Sequence, residues 1–181
     1  MIKFSRRGLA TAVAVAAAAG SLTWAASSAS AATGGHHYPQ PPACSAQELA
    51  VWVNADSANP GAGNVFYNLD YTNLGDHACW LAGYPDVIAT DSHGDPLGAP
   101  AERDQVGPSL PVVLEPGRSA HSVLDYLEGA LTPACMPEQS AYLDVKAPQS
   151  GGWRKAFFSQ QICSHRSVIN LKVSEVKEGA A

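Results

Sequence analysis

Alternation of apolar and polar residues with a period of two is the feature that most constrains this chain. Leu49, Val51 and Val53 share one side of a segment, and residues 65–71 alternate in the same way. The same pattern, or a short apolar β-branched run, recurs at residues 87–90, 110–114, 120–126, 143–146 and 169–173. No segment sustains a helical stripe. About seven short strands separated by turns predict an all-β fold, an antiparallel β-sandwich.

Glycine and proline residues mark the turns between these segments. Gly and Pro together number 29, and charged residues make up only 15% of the chain. Asn59-Pro60-Gly61, Glu115-Pro116-Gly117 and Ser150-Gly151-Gly152 are turn signals of this kind. This composition is typical of a turn-rich β protein and not of a helical bundle.

The first 31 residues resemble a secretory signal peptide. Lys3, Arg6 and Arg7 precede an uncharged, Ala-rich stretch that ends in an Ala29-Ser30-Ala31 cleavage site. The Arg6-Arg7 pair also suits a twin-arginine signal, so both export routes stay open. No second apolar stretch is long enough to span a bilayer. We therefore predict a secreted, extracellular protein with no membrane span after cleavage.

Cleavage before Ala32 leaves a 150-residue chain, which is enough for one domain. Residues 32–43 alternate Gly and Pro with polar residues and predict a disordered linker, with the domain at 44–176 and a tail at 177–181. Removing three cations from eleven leaves eight against sixteen acidic residues, a charge of −8. Such an acidic chain is a poor candidate for nucleic acid, because it has no basic stripe to release counterions.

Four cysteines, Cys44, Cys79, Cys135 and Cys163, remain in the exported chain and predict two disulfides. If segments 49–55 and 64–73 are antiparallel neighbours, Cys44 and Cys79 meet at one end of the pair. If residues 142–147 and 153–158 form a hairpin, Cys135 and Cys163 meet beside it. We predict these two pairings. Finding Cys44 joined to Cys135 or Cys163 would overturn the strand order.

Several motifs then resemble a known family. They include Leu69-Asp70-Tyr71-Thr72-Asn73-Leu74-Gly75, Leu114-Glu115-Pro116-Gly117 and, most specifically, Cys79-x-Leu81-x-Gly83-Tyr84-Pro85. Over residues 44–176 the chain is similar to domain of unknown function 4232, a family of exported domains from high-GC Gram-positive bacteria. Trp80 stands where the family usually has a small polar residue. The resemblance implies an immunoglobulin-like sandwich on a secreted or tethered protein. It implies no activity and no catalytic residues.

A search for catalytic, cofactor or metal chemistry finds no motif. The chain lacks G-x-S-x-G, H-E-x-x-H and any phosphate-cradling loop. Its six histidines never fall at i, i+2 or i, i+4, so we predict no metal site, no cofactor and no enzyme. The segment Asp91-Ser92-His93-Gly94-Asp95 is better interpreted as a hairpin turn than as a calcium loop.

The candidate binding residues are Trp153, Arg154, Phe158 and Tyr84. Gly151 to Phe158 joins two glycines, a Trp, two cations and two Phe. If Trp153 and Phe158 face solvent beside Arg154, they form an interface anchor or a platform for sugar rings. The alternative is a strand with Trp153, Lys155 and Phe157 on one face, in which one face packs inward. Tyr84 either contacts a ligand or packs over the bend that Gly83 and Pro85 fix.

These observations predict a secreted, non-enzymatic binding or interaction module whose partner is a cell-wall polymer or an extracellular protein. Two alternatives share the same sequence features. One is a secreted enzyme inhibitor or structural wall protein. The other is a hydrolase with a Ser/His/Asp site assembled from loops. A clustered triad in a cleft would favour the hydrolase, and an exposed aromatic patch would favour binding.

Overall fold

A computed structural model of the protein describes residues 40–104, 108–128 and 135–179. These residues form an all-β structure with several sheets and two disulfides, as predicted. A single 3₁₀ turn, Ala46–Glu48, precedes the first strand within the described ranges. The predicted signal peptide at 1–31 and residues 32–39 of the predicted linker lie outside the described residues. No helix in the described part of the chain is long and apolar enough to cross a membrane.

The described residues contain fourteen strands, twice the number expected. Eight of the fourteen strands have only two or three residues, and six of these fall outside the predicted segments because they are too short to show an alternating pattern. The strands are β1 (Leu49–Pro60), β2 (Asn64–Asn73), β3 (Cys79–Leu81), β4 (Asp86–Thr90), β5 (Pro96–Leu97), β6 (Glu102–Arg103), β7 (Val112–Leu114), β8 (Ser119–Leu127), β9 (Pro137–Gln139), β10 (Tyr142–Lys146), β11 (Arg154–Phe157), β12 (Gln161–Cys163), β13 (Leu171–Val173) and β14 (Lys177–Glu178).

Two larger sheets carry most of these strands. The six-stranded sheet has the order β1-β2-β8-β13-β6, with β14 also paired to β8. The four-stranded sheet has the order β11-β10-β4-β5, and all its pairs are antiparallel. Two small sheets, β9–β12 and β3–β7, complete the described strands.

The period-two alternation correctly predicts which side chains are buried in these two sheets. Along β8 every second side chain is buried, and Leu143 and Val145 are the buried positions of β10. Leu69 and Leu124 of the six-stranded sheet belong to the same hydrophobic cluster as Leu143 and Val145 of the four-stranded sheet. The larger sheets therefore enclose one core, as in a β-sandwich. An immunoglobulin-like strand order stays a prediction.

Both disulfides join the cysteines that the strand order pairs. Leu49 lies opposite Asn73 in the β1–β2 register, which brings Cys44 and Cys79 together with a Cα–Cα distance of 4.8 Å. The β10–β11 hairpin is continued by β9 and β12, in which Cys163 lies opposite Pro137. Cys135 and Cys163 are joined there with a Cα–Cα distance of 5.1 Å. Each bridge thus fastens the ends of neighbouring strands, within the usual Cα range.

The ordered domain extends past both predicted boundaries. Trp80 N–H donates to the Pro42 carbonyl at 3.0 Å, and Ala43 forms a bridge with Trp80. The last residues of the predicted linker are thus fixed by backbone pairing. Lys177 lies opposite His121, so the first residues of the predicted tail belong to the six-stranded sheet. Turn and charge signals in the sequence did not reveal these backbone pairs.

Candidate functional site

The side of the four-stranded sheet that faces away from the core carries the candidate site, and we call it the outer face. The cross-strand neighbours of three β10 residues define the rows of side chains on this face. Tyr142 lies opposite Phe157 and Thr90, Asp144 lies opposite Lys155 and Ile88, and Lys146 lies opposite Asp86. The alternate residues Leu143 and Val145 are buried in the core. The Gly151-Gly152 turn leads into β11 and supplies Trp153 beside these rows.

Large aromatic side chains of the outer face are exposed to solvent. Trp153 is 54% exposed, Phe157 is 70% exposed and Tyr142 is 37% exposed. The rings of Tyr142 and Phe157 meet edge to face with centroids 6.3 Å apart. Exposed aromatic rings next to polar groups are typical of surfaces that bind a partner.

An ion pair separates the aromatic residues. Lys155 Nζ lies 2.8 Å from Asp144 Oδ1 and 5.5 Å from the centroid of the Tyr142 ring. Because both charged groups are partly exposed, the pair itself contributes little to stability. It does keep a carboxylate oxygen and an ammonium group side by side on the surface, where they can accept from and donate to a hydroxyl group.

A shallow cavity of about 470 Å³ lies on the outer face beside Trp153. We call it cavity one, and its lining residues are Ile88, Thr90, Gly94, Pro96, Asp144, Trp153, Arg154 and Lys155. Apolar Ile88, Pro96 and the Trp153 ring thus stand next to Arg154, Lys155 and Asp144. This mixture of a flat ring and polar groups suits a ligand that presents both an apolar face and polar substituents.

A second cavity of about 450 Å³, cavity two, lies at the end of the same sheet around Tyr84. Asp86, Arg103 and Lys146 also line it. Arg103 Nη2 donates to Asp86 Oδ1 at 2.9 Å. Tyr84 is half-buried, so the structure places this predicted residue at a cavity wall.

Gln149 holds the Tyr84 segment against the β10–β11 turn. Its side-chain amide pairs with the backbone of Ala82, accepting from the Ala82 N–H at 3.1 Å and donating to the Ala82 carbonyl at 2.8 Å. Gln149 has a φ of 59°, a left-handed conformation that costs a non-glycine residue about 1–2 kcal/mol. The amide pair and the neighbouring turn offset this cost and fix one wall of cavity two.

Phe158 does not face solvent, as the binding interpretation of this segment required, and the alternative in which one face packs inward holds for it. Phe158 is 3% exposed and packs edge to face on Tyr67 and Tyr126, at centroid distances of 5.8 and 5.7 Å. It shares the inward side with Ala156, whereas Lys155 and Phe157 point outward. Arg154 begins β11 and is exposed, so it lines cavity one together with Trp153. The structure therefore brings Trp153 and Arg154 together and removes Phe158 from the site.

Sequence reasoning missed the residues that β10 and β4 contribute. Tyr142 and Asp144 were visible in principle, because the predicted hairpin with residues 153–158 places them opposite Phe157 and Lys155. Ile88 and Pro96 had no such signal, since they join the site through strand pairs between β4 and its neighbours.

The described titratable groups do not assemble a hydrolase triad around the Ser–His pair found near the C-terminus. Ser167 Oγ lies 2.7 Å from His165 Nδ1, but no carboxylate bonds the His165 ring among the described residues. Asp91 accepts the backbone N–H groups of Asp95 and His93, each at 2.8 Å, which lowers its pKa. Within the described ranges no three His, Cys, Asp or Glu side chains are grouped as metal ligands.

The family model described as "Domain of unknown function (DUF4232)" matches residues 44–177. The chain belongs to this family. The match includes both disulfides and every residue of the outer face, so the site described above lies within the DUF4232 domain. No curated protein and no solved structure shows significant similarity to the chain.

Proposed function

We propose that this DUF4232 domain is a non-enzymatic module, exported from the cell, that binds a cell-wall polysaccharide through its outer face. The observation that carries the proposal is the exposure of Trp153, flanked by Arg154 and the Lys155–Asp144 pair, on a cavity of about 470 Å³. A sugar ring has an apolar face that stacks on an aromatic ring and hydroxyl groups that need donors and acceptors.

Each residue has a distinct role in this proposal. The Trp153 ring supplies the stacking surface, and Ile88 and Pro96 supply apolar floor beside it. Lys155 donates to and Asp144 accepts from hydroxyl groups of the bound sugar. Because these two groups already face each other at 2.8 Å, they are oriented before the ligand arrives.

Export is supported by the leader sequence and by the two disulfides. All four cysteines are paired, and structural disulfides persist in oxidising compartments. Two bridges also suit a domain that has to stay folded outside the cell, because each constrains the unfolded chain by about 3–4 kcal/mol on a loop-entropy model.

The proposal is tested by retention of the purified domain on insoluble peptidoglycan that still carries its attached polysaccharides. Truncating an aromatic anchor costs about 2 kcal/mol, so we expect Trp153→Ala to raise the Kd about 30-fold. Trp52→Ala is the matched control. Trp52 is 38% exposed but lies on β1 of the other large sheet, so its removal leaves retention unchanged.

Three results would contradict the proposal. Equal retention of Trp153→Ala and the unchanged protein would remove Trp153 from the site. Retention by proteins of the culture fluid instead of the polysaccharide would identify a protein partner. Release of soluble sugar ends in proportion to the amount of domain added would show a hydrolase.

A further inference from the structure

We infer that the ligand of the outer face is a linear sugar polymer carrying repeated anionic groups, and that it occupies cavity one and cavity two together. This inference rests on the proposed function and adds the chemical class and the length of the ligand. The supporting observations are the distribution of cations, their ion pairs, and the alignment of the two cavities along β10.

Half of the few cations of the domain line these two cavities. Residues 32–181 contain eight Lys and Arg, which is eleven minus the three of the leader, against sixteen Asp and Glu. Four of the eight line the two cavities: Arg103, Lys146, Arg154 and Lys155. A strongly acidic chain thus places half of its positive charge around these two cavities.

Carboxylates neutralise only two of these four cations. Asp144 pairs with Lys155 and Asp86 pairs with Arg103. Arg154 and Lys146 have no ion pair with any described residue. The two cavities therefore carry two more positive than negative charges, with one unpaired cation at each. An anionic ligand would complement this excess positive charge, whereas a neutral ligand would leave the two cations without an opposite charge.

Acidic residues mark one limit of the positive region. Gly94, at the rim of cavity one, lies in the turn that carries Asp91 and Asp95. The Asp91 carboxylate already accepts two backbone N–H groups there. The favourable path for an anionic polymer consequently leads away from this turn, from Arg154 toward Lys146 and Arg103.

The two cavities follow one another along β10. Asp144 lines cavity one and Lys146 lines cavity two, and both point to the outer face. Two residues along a strand span about 7 Å, so a single chain of more than two sugar units can reach both cavities. Each cavity offers the same pair of groups, an aromatic ring and an unpaired cation: Trp153 with Arg154, and Tyr84 with Lys146.

The test measures binding of soluble probes by calorimetry. The probes are oligogalacturonates of two to eight units, their neutral methyl esters, and inorganic polyphosphate, which has charge but no ring. We expect affinity for oligogalacturonates to rise at least about tenfold once the chain spans both cavities, because the second contact is then intramolecular. We expect at least about tenfold weaker binding of the esters and of polyphosphate, and weaker binding at high salt.

Variants locate the two subsites. Lys146→Gln and Tyr84→Ala are expected to abolish the gain with length while leaving binding of the shortest oligomer unchanged. Arg154→Gln is expected to weaken the binding of oligomers of every length. Lys172→Gln removes an exposed cation from β13 of the other large sheet. We expect it to change neither the affinity for any oligomer nor the gain in affinity with length.

The outcomes separate this inference from the proposed function. Equal binding of the methyl esters, or no binding of any probe by a domain that peptidoglycan still retains, would overturn the anionic ligand and leave the proposed function intact. Affinity that does not depend on length would overturn the second subsite. Polyphosphate binding as tight as oligogalacturonate binding would contradict sugar stacking, and with it the proposed function.

Discussion

The two larger sheets of this domain each turn one side away from the core, and the two sides differ in how their polar groups are satisfied. On the six-stranded sheet polar side chains pair with one another. Thr72 and Ser119 lie 2.6 Å apart, Asn64 donates to Asp125 at 2.5 Å, and Asn54 donates to Asp70 at 3.3 Å. The outer face of the four-stranded sheet instead exposes Trp153 and Phe157, and the two cations Lys146 and Arg154 of its cavities form no ion pair with any residue that the structure describes.

The six-stranded sheet also turns two aromatic rings outward, but Trp52 and Phe66 are only 38% and 36% exposed, against 54% for Trp153 and 70% for Phe157. Both sheets are built from the same alternation and share one core, yet the polar side chains of the six-stranded sheet pair internally. The difference is therefore one of degree, and the more exposed rings lie beside the cavity, as expected of a surface that is completed by a partner. Three predictions test this comparison.

Asp70 is the weak point of the internally paired side. Its side chain is 1% exposed, and Oδ1 has no hydrogen-bond partner among the described residues. Burial raises its pKa above the usual 3.8, although the Asn54 bond and the nearby His121 act in the opposite direction. A buried group without a partner costs about 1–3 kcal/mol. We expect Asp70→Asn to raise the free energy of unfolding by about 1–2 kcal/mol at pH 7.

The gain has a defined pH dependence. Because the folded-state pKa is raised, ionisation of Asp70 costs stability at every pH above that value. The cost shrinks as the pH falls through the folded pKa and disappears below about 3.8, where both states are protonated. Urea titrations of Asp70→Asn and the unchanged protein at pH 7 and pH 3.5 measure the difference in the free energy of unfolding. Asp125→Asn, a hydrogen-bonded acid on the same side, is the control and brings no gain. An equal gain at both pH values would contradict the argument.

Two phenylalanines provide a matched pair across the comparison. Phe66 of β2 is 36% exposed, and its ring packs close to Gly61, where an added Cβ would lie 3.1 Å from Phe66 Cε2. Phe157 is 70% exposed. We expect Phe66→Ala to cost about 1–2 kcal/mol through lost burial, and Phe157→Ala to stay within about 0.5 kcal/mol.

Denaturant unfolding of the two variants measures these costs. A cost for Phe157→Ala equal to that for Phe66→Ala would mean that Phe157 serves the fold, and the outer face would lose its role as a free surface. Phe158→Ala is a third variant, at the residue that follows β11. It removes a ring buried against Tyr67 and Tyr126 and is expected to cost about 3–5 kcal/mol.

The contrast between Phe157 and Phe158 also marks how far the sequence predicts the site. Alternation correctly showed that Trp153, Lys155 and Phe157 share a face and that Phe158 lies on the other. It does not say which face is buried when both carry an aromatic ring. That choice depends on what lies below the strand, where Ala156 and Phe158 meet the core cluster. Local pattern contains no information on this contact.

Pairing between strands that are adjacent in the sequence was predictable, whereas pairing between strands that are distant in the sequence was not. The β1–β2 and β10–β11 pairs join adjacent segments through short connections, so these two pairings and both disulfides followed from the sequence. The β10–β4 pair joins segments more than fifty residues apart, and Asp144 meets Ile88 only through it. Cavity one depends on that pair, so its full lining was beyond sequence reasoning.

The smallest predicted effect compares one side-chain pair from each side. Thr72 and Ser119 are partly buried and directly opposite in the β2–β8 register, so a double-mutant cycle with Thr72→Val and Ser119→Ala should give a coupling of about 0.5–1 kcal/mol. Lys155 and Asp144 are more exposed, and Lys155→Met with Asp144→Asn should give roughly 0.3 kcal/mol, which 1 M salt removes. A hydroxyl pair is insensitive to salt. Larger and salt-resistant coupling between Lys155 and Asp144 would show that this ion pair stabilises the sheet, whereas weak, screened coupling leaves both groups available to a ligand.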